Sequence, residues 1–253
     1  MGARPKVAFF EFTSCEGCQL TVVDSLQTHP ELLDAVEIVR FREAMSEKGD
    51  DYLVAFVEGS IARQSDEAAL KKIREQAALV VALGTCAHLG GINAIRNRQE
   101  LQSVRQYVYG DKADWYETYP ARPISAVVPI DAVIPGCPID RDEFVSVVTA
   151  LLQGRTPVLP DSPVCVECKL KENVCVYLRG MTCLGPVTRA GCDAICPTYG
   201  DGCEGCRGLI PQPNLASMKQ VLAEHGMSAD QVTAKTTMFL SYQMMELEAA
   251  KNG

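Results

Sequence analysis

The stretch KVAFFEFTSCEGC, residues 6–18, places two cysteines directly after a short apolar run. The run at residues 6–12 is rich in valine and phenylalanine, which predicts a buried β-strand. The predicted strands are residues 6–12, 37–42, 52–57, 78–83 and 126–134, and Pro129 interrupts the last, which is therefore expected to be short or at an edge. Predicted helices alternate with them or follow them, at residues 19–28, 65–76 and 140–152. This alternation predicts an α/β fold with a doubly wound parallel sheet.

A proline-rich segment divides the chain. Residues 154–163 read GRTPVLPDSP, which is typical of a boundary or linker. We therefore expect a sheet domain at residues 1–153 and a second, irregular domain at residues 154–253. Residues 164–213 combine many Cys, Gly and Pro with little periodicity, so metal rather than an apolar core is expected to order them. Two helices are predicted to finish the chain, at residues 215–225 and 229–249, and Ser228 with Gln231 predicts a capping box for the second.

Composition narrows the class of protein. The net charge of −8 argues against a protein that tracks nucleic-acid phosphates. Twelve cysteines in 253 residues are too many for inert core thiols, and disulfide frameworks belong to small secreted domains. The N-terminus has neither a signal-peptide pattern nor a twin-arginine pair, and the longest apolar run, residues 77–83, is too short to cross a bilayer. We expect a soluble, cytoplasmic protein with reduced cysteines.

Four cysteines follow the ends of predicted strands. They are Cys15, Cys18, Cys86 and Cys137. Because ligands of open α/β sheets bind at the carboxyl ends of the strands, these thiols are expected to meet at one edge. The glycines beside them, Gly17, Gly84 and Gly136, would let the backbone approach a bulky inorganic group. The alternatives are that Cys86 and Cys137 are small buried core residues, and that the C-x2-C alone is a redox dithiol or a zinc knuckle.

The other eight cysteines crowd into residues 165–206. They are Cys165, Cys168, Cys175, Cys183, Cys192, Cys196, Cys203 and Cys206. Eight thiols fit two sites of four ligands, for iron–sulfur clusters or for structural zinc. The bacterial ferredoxin run C-x2-C-x2-C-x3-C-P is absent, and only its tail is repeated at Cys192 to Pro197. The spacing favours iron–sulfur over zinc and does not by itself pair the ligands.

Five segments resemble signatures of a known family, the small subunits of NiFe hydrogenases. They are FEFTSCEGCQL (10–20), VEGS (57–60), GTCA (84–87), PGCP (135–138) and CLGPVTRAGC (183–192). The likeness is to soluble, cytoplasmic, multisubunit members, such as the sulfhydrogenase delta subunit that works with NADP(H). It implies a flavodoxin-like first domain and a cluster-binding second domain.

The resemblance also implies a ligand set for each of three 4Fe–4S clusters. Cys15, Cys18, Cys86 and Cys137 would hold the proximal cluster. Cys192, Cys196, Cys203 and Cys206 would hold the medial cluster, and Cys165, Cys168, Cys175 and Cys183 the distal one. Membrane-associated members begin the distal set with a histidine, where Cys165 stands here, and their medial cluster often lacks one ligand, which Cys196 supplies here.

The implied function is electron transfer. Electrons would pass between the NiFe centre of a separate large subunit and a flavin- and iron–sulfur-containing, diaphorase-type partner that uses NAD(P) or ferredoxin. No Gly-x-Gly-x-x-Gly or Walker motif occurs, so a dinucleotide would bind to another subunit. No catalytic residue is expected in this chain.

Three other interpretations remain. A 20 kDa-type iron–sulfur subunit of a complex I relative would carry adjacent cysteines in the first motif, which Cys15-Glu16-Gly17-Cys18 does not match. A zinc-stabilised interaction module and a stand-alone ferredoxin-like carrier are the others. The roles of Glu16, Glu58 and His88 are left open: each could act on the proximal cluster or be merely structural.

Overall fold

Five parallel strands form one sheet in the computed structural model of the protein, which describes residues 3–252, with side chains up to residue 250. The strands are β1 (Lys6–Glu11), β2 (Glu37–Arg40), β3 (Val54–Glu58), β4 (Leu79–Leu83) and β5 (Ala132–Ile134). Their order is β2-β1-β3-β4-β5, and every pair is parallel. This is the strand order of flavodoxin-like sheets, so the predicted fold class is confirmed.

Eleven α-helices lie among the described residues. They are α1 (Gly17–Thr28), α2 (Glu31–Ala35), α3 (Gln64–Gln76), α4 (Gly84–Leu89), α5 (Leu101–Tyr109), α6 (Arg141–Leu152), α7 (Val164–Leu170), α8 (Ile195–Thr198), α9 (Leu215–Glu224), α10 (Ala229–Thr237) and α11 (Ser241–Asn252). Short 3-10 helices occur at Ile92–Arg98, Gly110–Trp115, Ile124–Ala126 and Val176–Arg179. The helices between residues 84 and 115 were not predicted from the sequence.

The sheet is buried on both faces because alternate side chains point to opposite sides. Phe9 and Phe56 pack with Val22 of α1 and Phe144 of α6 on one face. On the other face, β1, β3 and β4 pack against Leu70 and Ile73 of α3. Helices therefore cover both sides, as a doubly wound sheet requires.

Most bounds shift by one or two residues, and two elements differ by more. The predicted strand at residues 126–134 is short and at the edge of the sheet, as Pro129 indicates: it contains only β5, because proline lacks the N–H that a longer strand would need. The single helix predicted at residues 229–249 is two helices, α10 and α11. The hydroxyls of Thr236 and Thr237 donate to carbonyls four residues back, a contact that often bends helices, and α10 ends there. The capping box of Ser228 and Gln231 is confirmed.

The cysteine-rich region is not ordered by metal ligation alone, in contrast to the expectation. Leu184, Val187 and Leu209 pack with α9, α10 and α11 in an apolar cluster. In a second, smaller cluster, Cys183 and Cys203 pack with Val164, Val176 and Ala194. The domain boundary at residues 153/154 stays a prediction. None of the helices described is both long enough and apolar enough to span a membrane.

Candidate metal centres

The four thiols of the first set lie together at the carboxyl edge of the sheet. Cys15 and Cys18 flank the start of α1, Cys86 lies in α4 after β4, and Cys137 follows β5. The pKa of Cys86 is raised to about 12, first by burial and then by the charges of Cys137, Glu58 and Cys15. Burial also raises the pKa of Cys18, to which Glu58, Cys137 and Cys86 add. The thiols are therefore close enough to influence one another's ionisation.

Glycine at position 84 makes this grouping possible. Gly84 has φ +80°, and a Cβ there would overlap Sγ of Cys18. The N–H of Thr85 donates to the carbonyl of Gly136 at 2.8 Å, so the loops that carry Cys86 and Cys137 are joined directly. At Gly17 a Cβ would lie 3.4 Å from Sγ of Cys15. A side chain at residue 84 would thus occupy the space of a thiol.

Glu58 holds the start of α1 in place. Its carboxylate, 2% exposed at the end of β3, accepts from the N–H groups of Cys18 (3.3 Å) and Gln19 (3.0 Å). Glu16, the residue before α1, supplies no side-chain cap and has φ +63°. Burial raises the pKa of Glu58, and the two N–H groups oppose that rise. Among the roles left open for Glu58, binding to nearby backbone is the one that the structure contains.

The second set along the chain is Cys165, Cys168, Cys175 and Cys183, of which the first two lie in α7. The pKa of Cys165 is raised to about 11, first by burial and then by Cys183, Cys168 and Cys175. A Cβ at Gly185 would lie 3.2 Å from Sγ of Cys183 and 3.5 Å from Sγ of Cys165, so these two sulfurs face the same glycine. These four thiols are therefore brought together as well.

The third set lines a cavity of about 570 Å³. Cys192, Cys196, Cys203 and Cys206 all contribute to its wall, together with Cys137 of the first set. Apolar side chains, among them Ile139, Val164, Met238 and Phe239, form much of the rest, and Asp201, Glu204 and Arg207 also line it. The pKa of Cys206 is raised to about 12 by burial, against a backbone N–H of Cys137, and by the neighbouring Cys192, Cys137 and Cys196.

The third set touches both of the others. The hydroxyl of Thr85, next to Cys86, donates to the carbonyl of Cys206. The N–H of Cys203 donates to Sγ of Cys183 at 3.1 Å. The spatial order of the sets is thus first, third, second, which differs from their order along the chain.

The donor chemistry fits iron–sulfur clusters. All twelve cysteines are free thiols, and four per set is the number that a 4Fe–4S cluster uses. A buried thiolate is unfavourable unless a cation compensates it, and iron ligation supplies that charge. The apolar, thiol-lined cavity of the third set has room for a bulky inorganic group. Among the described residues, no group of three or more His, Cys, Asp or Glu side chains is placed so that it could hold a single metal ion.

His88 lies on α4 close to the cysteine-rich region. Its ring faces Gly208, and its pKa is lowered to about 4 by burial and by the charges of Arg189 and Arg207. His88 is thus neutral at physiological pH. Glu16 is half-buried beside Cys15, and nothing in its contacts selects one of the roles left open for it.

Two buried charged residues were missed by the sequence analysis, Arg207 and Glu143. They form an ion pair between the cysteine-rich region and α6. The sequence contains no local pattern that pairs residues 143 and 207, so only the structure could identify them.

Comparison with known proteins agrees with the resemblance in the motifs. Residues 15–151 match the family described as NADH ubiquinone oxidoreductase, 20 Kd subunit. The chain is 40% identical over 222 residues to the sulfhydrogenase 2 subunit delta of Pyrococcus furiosus, covering 87% of this chain and 92% of that protein. It is 33% identical over 268 residues to a subunit of the vhu F420-non-reducing hydrogenase of Methanocaldococcus jannaschii, covering 92% of each.

A solved structure shares the fold. A chain of an NAD+-reducing [NiFe]-hydrogenase in the H2-reduced state superposes with a TM-score of 0.55 at 23% identity, covering 62% of this chain and 96% of that one. The sheet, the cysteine motifs and these relatives together define an oxidoreductase subunit. The chain belongs to the family of the NADH ubiquinone oxidoreductase 20 Kd subunit, and within it to the small subunits of NiFe hydrogenases.

Proposed function

We propose that this chain conducts electrons through three 4Fe–4S clusters between the NiFe site of a large subunit and a flavin- and iron–sulfur-containing partner. The observation that carries the proposal is the contact of the third cysteine set with both others. Sites in a row are what a path for electrons requires. The clusters would supply one-electron transfer, and the protein's own task is to hold them in sequence.

The ligand sets proposed are those that the resemblance implies. Cys15, Cys18, Cys86 and Cys137 would hold the proximal cluster. Cys192, Cys196, Cys203 and Cys206 would hold the medial cluster, and Cys165, Cys168, Cys175 and Cys183 the distal one. The proximity of the thiols within each set supports this pairing of eight C-terminal cysteines that spacing alone leaves open.

The large subunit would dock at the carboxyl edge of the sheet. Cys15 and Cys137 are exposed there, and Leu20, two residues after Cys18, is 56% exposed. The exposed thiols and this apolar side chain together support an interface at this edge of the sheet. Burial by a partner would exclude water from the proximal set.

The external partner would dock near the distal set. Leu170 and Leu178, which flank Cys168 and Cys175, are 79% and 82% exposed. Tyr199, on the neighbouring segment after α8, is 86% exposed. Leu170 and Leu178 lie on the segment that carries the distal thiols, and Tyr199 lies beside the medial ones. This exposed apolar surface supports the proposal of a diaphorase-type subunit as partner.

The acceptor is proposed to be NAD(P) or ferredoxin, with flavin and NAD(P) bound on other subunits and the whole complex in the cytoplasm. Twelve cysteines supply four ligands to each of three clusters, which suits low-potential acceptors better than quinone. The name of the Methanocaldococcus jannaschii relative is consistent with an acceptor other than coenzyme F420.

A subunit of a complex I relative is the second candidate, since the matching family is described by the 20 Kd subunit of that enzyme. That match ends at residue 151, before the eight C-terminal cysteines. The alignments that include those cysteines are to hydrogenase subunits. The hydrogenase function is therefore preferred.

An anaerobic pull-down from the native host tests the proposal. We expect a nickel-binding large subunit and a flavin-containing subunit by mass spectrometry, with iron and acid-labile sulfide in the complex. Recovery of membrane or quinone-module subunits instead would favour the complex I relative. Zinc without sulfide would leave the chain as a zinc-stabilised module and overturn the electron path.

A further inference from the structure

Arg207 is a fully buried charged residue directly after Cys206. Its side chain is 1% exposed, and its Nη1 and Nη2 donate to Glu143 Oε2 (2.8 Å) and Oε1 (2.6 Å). Glu143 lies in the first turn of α6, where the positive end of the helix favours a carboxylate. The two residues form a bidentate pair, which fixes the plane of the guanidinium.

The same guanidinium ties together the backbone beside two cysteine sets. Nη1 donates to the carbonyl of Pro135 at 2.9 Å, two residues before Cys137. Nε donates to the carbonyl of Ala190 at 2.9 Å, two residues before Cys192. Arg207 is therefore a bridge between the proximal ligand Cys137 and the medial ligands Cys192 and Cys206.

Glycine at position 191 is required by this bridge. Gly191 has φ +110°, and a Cβ there would overlap Nη2 of Arg207 and approach Oε1 of Glu143 to 2.8 Å. The backbone between the ligand loops is thus packed directly against the ion pair. A shift of either residue would move the loop that carries Cys192.

The pair presents its positive end to the medial set. Arg207 lines the same cavity as Cys192 and Cys206, and the carboxylate of Glu143 stabilises its charge. The other charges that act on Glu143 are Asp140 and Glu167, neither of them a cysteine. Since arginine stays protonated, the medial thiols face a permanent positive charge, alongside the carboxylates of Asp201 and Glu204 that line the same cavity.

Stability alone does not account for a pair of this kind. Replacing a buried ion pair by apolar residues of similar volume is often neutral or stabilising, so a retained pair is weak evidence of a stabilising role. A charge next to a redox site has another effect, because reduction adds one electron to the cluster. A neighbouring positive charge favours the reduced form.

We propose that Arg207, held by Glu143, is a positioning residue that fixes the medial set against Cys137 and raises the reduction potential of the medial cluster. The inference rests on the proposed function, because it requires a cluster at Cys192, Cys196, Cys203 and Cys206. It adds a residue that sets the driving force between proximal and distal clusters. Arg207 touches no ligand sulfur in its hydrogen bonds and acts through charge and backbone.

Three variants of the complete enzyme complex separate charge from structure. Glu143→Gln keeps the shape of the side chain and one of its two acceptor oxygens but leaves Arg207 without a counter-charge, so the medial potential is expected to rise. Arg207→Met combined with Glu143→Gln removes both charges and is expected to lower it. Arg207→Lys keeps the positive charge but loses the bidentate hydrogen bonding of the guanidinium, so the medial potential is expected to stay near that of the wild type. In this variant, hydrogen exchange at residues 135–143 and 189–192 is expected to increase.

The potential is read by redox titration followed by electron paramagnetic resonance, with the medial signal identified as the one that Cys196→Ser alters. Arg141→Met is the matched control, since Arg141 lies on the same helix and its pair with Asp24 is exposed. Its potentials are expected to be unchanged.

The role of Arg207 in setting the potential would be overturned if the medial reduction potential shifted in the same direction in Glu143→Gln and in the double variant, or if it did not change in either. Unchanged exchange in Arg207→Lys would overturn the positioning role. A wild-type complex with no iron–sulfur signal would overturn the proposed function itself. Three clusters that titrate with the same potentials in the wild type and in the Arg207 variants would overturn only the inference about Arg207.

Discussion

The backbone N–H of Cys203 donates a hydrogen bond of 3.1 Å to Sγ of Cys183, a cysteine of another ligand set. The N–H of Gly185 donates to the same sulfur at 3.3 Å. Burial raises the pKa of Cys183, and these two N–H groups oppose the rise because they favour the thiolate. The medial and distal sets are thus in direct contact, and contacts of this kind determine the order of the sets in space.

Cys165→Ser tests the distal position. We expect transfer to the external acceptor to slow by about tenfold or more, since even the partners of metal ligands are worth roughly 10- to 100-fold. Hydrogen–deuterium exchange, which needs only the NiFe site, is expected to stay near the wild-type rate. Both rates are measured on the same purified complex. Equal loss of the two activities would contradict a distal role for Cys165.

Gly84→Ala tests the packing of the proximal set. The added Cβ would overlap Sγ of Cys18, so we expect loss of the proximal cluster, seen as lower iron and sulfide content and a missing paramagnetic signal. Gly180→Ala is the matched control, because Gly180 has φ +75° with no atom within 4 Å of the added Cβ. It should cost only the left-handed strain, about 1–2 kcal/mol, and retain every cluster. Full cluster content in Gly84→Ala would contradict this account.

Cluster removal tests how far metal orders the cysteine-rich region. After oxidation and chelation we expect faster hydrogen exchange at residues 164–183 and 192–206, whose apolar cluster is small and includes ligand cysteines. The central strands should stay protected by the apolar clusters on both faces of the sheet. Helices α9 to α11 should lose less protection than the ligand loops, because Leu222 and Leu240 pack in their own apolar cluster. Uniform loss of protection across the chain would mean that all regions depend equally on the clusters.

Because the pKa of Tyr52 is raised, we expect the free energy of unfolding to fall at alkaline pH. Its hydroxyl donates to Oε1 of Gln76 at 2.7 Å, and burial raises its pKa, with Arg40 opposing and Asp50 adding. A raised folded-state pKa means that the contribution is complete below the unfolded value of about 10 and is lost as the pH rises through the folded value. Tyr52→Phe should lose about 1 kcal/mol at neutral pH and show a smaller alkaline decline. Urea unfolding under anaerobic conditions at several pH values measures both, and an unchanged alkaline slope would exclude Tyr52 as its source.

Leu20 tests the proposed interface with the large subunit. Leu20→Glu would bury a charge at that contact, so we expect the dissociation constant to rise by about tenfold or more, equivalent to about 1.4 kcal/mol. Leu33→Glu serves as the control, since Leu33 is 44% exposed on α2, away from the cysteines. Binding is measured with separately purified subunits. A larger effect at Leu33 than at Leu20 would move the interface to another face.

Local patterns account for what could be predicted of the fold. Short apolar runs, most of them rich in valine or phenylalanine, predicted all five strands, because burial on both faces leaves a continuous apolar run in the central strands of a parallel sheet. The capping box at Ser228 was readable because both partners lie within one helical turn. The break between α10 and α11 and the 3-10 turn at Ile124–Ala126 were missed, since side-chain contacts and tertiary packing overrule the period of the pattern there.

By itself, the sequence determined the parallel sheet and the supply of twelve thiols, because periodicity and residue type are properties of short segments. The tertiary structure decided that Cys206 adjoins Thr85 and Cys137 and that Cys203 adjoins Cys183, which fixes the order of the sets. It also decided that Arg207 pairs with Glu143, 64 residues away along the chain. Such contacts exist only where packed elements exclude water, and no spacing of residues along the chain encodes them directly.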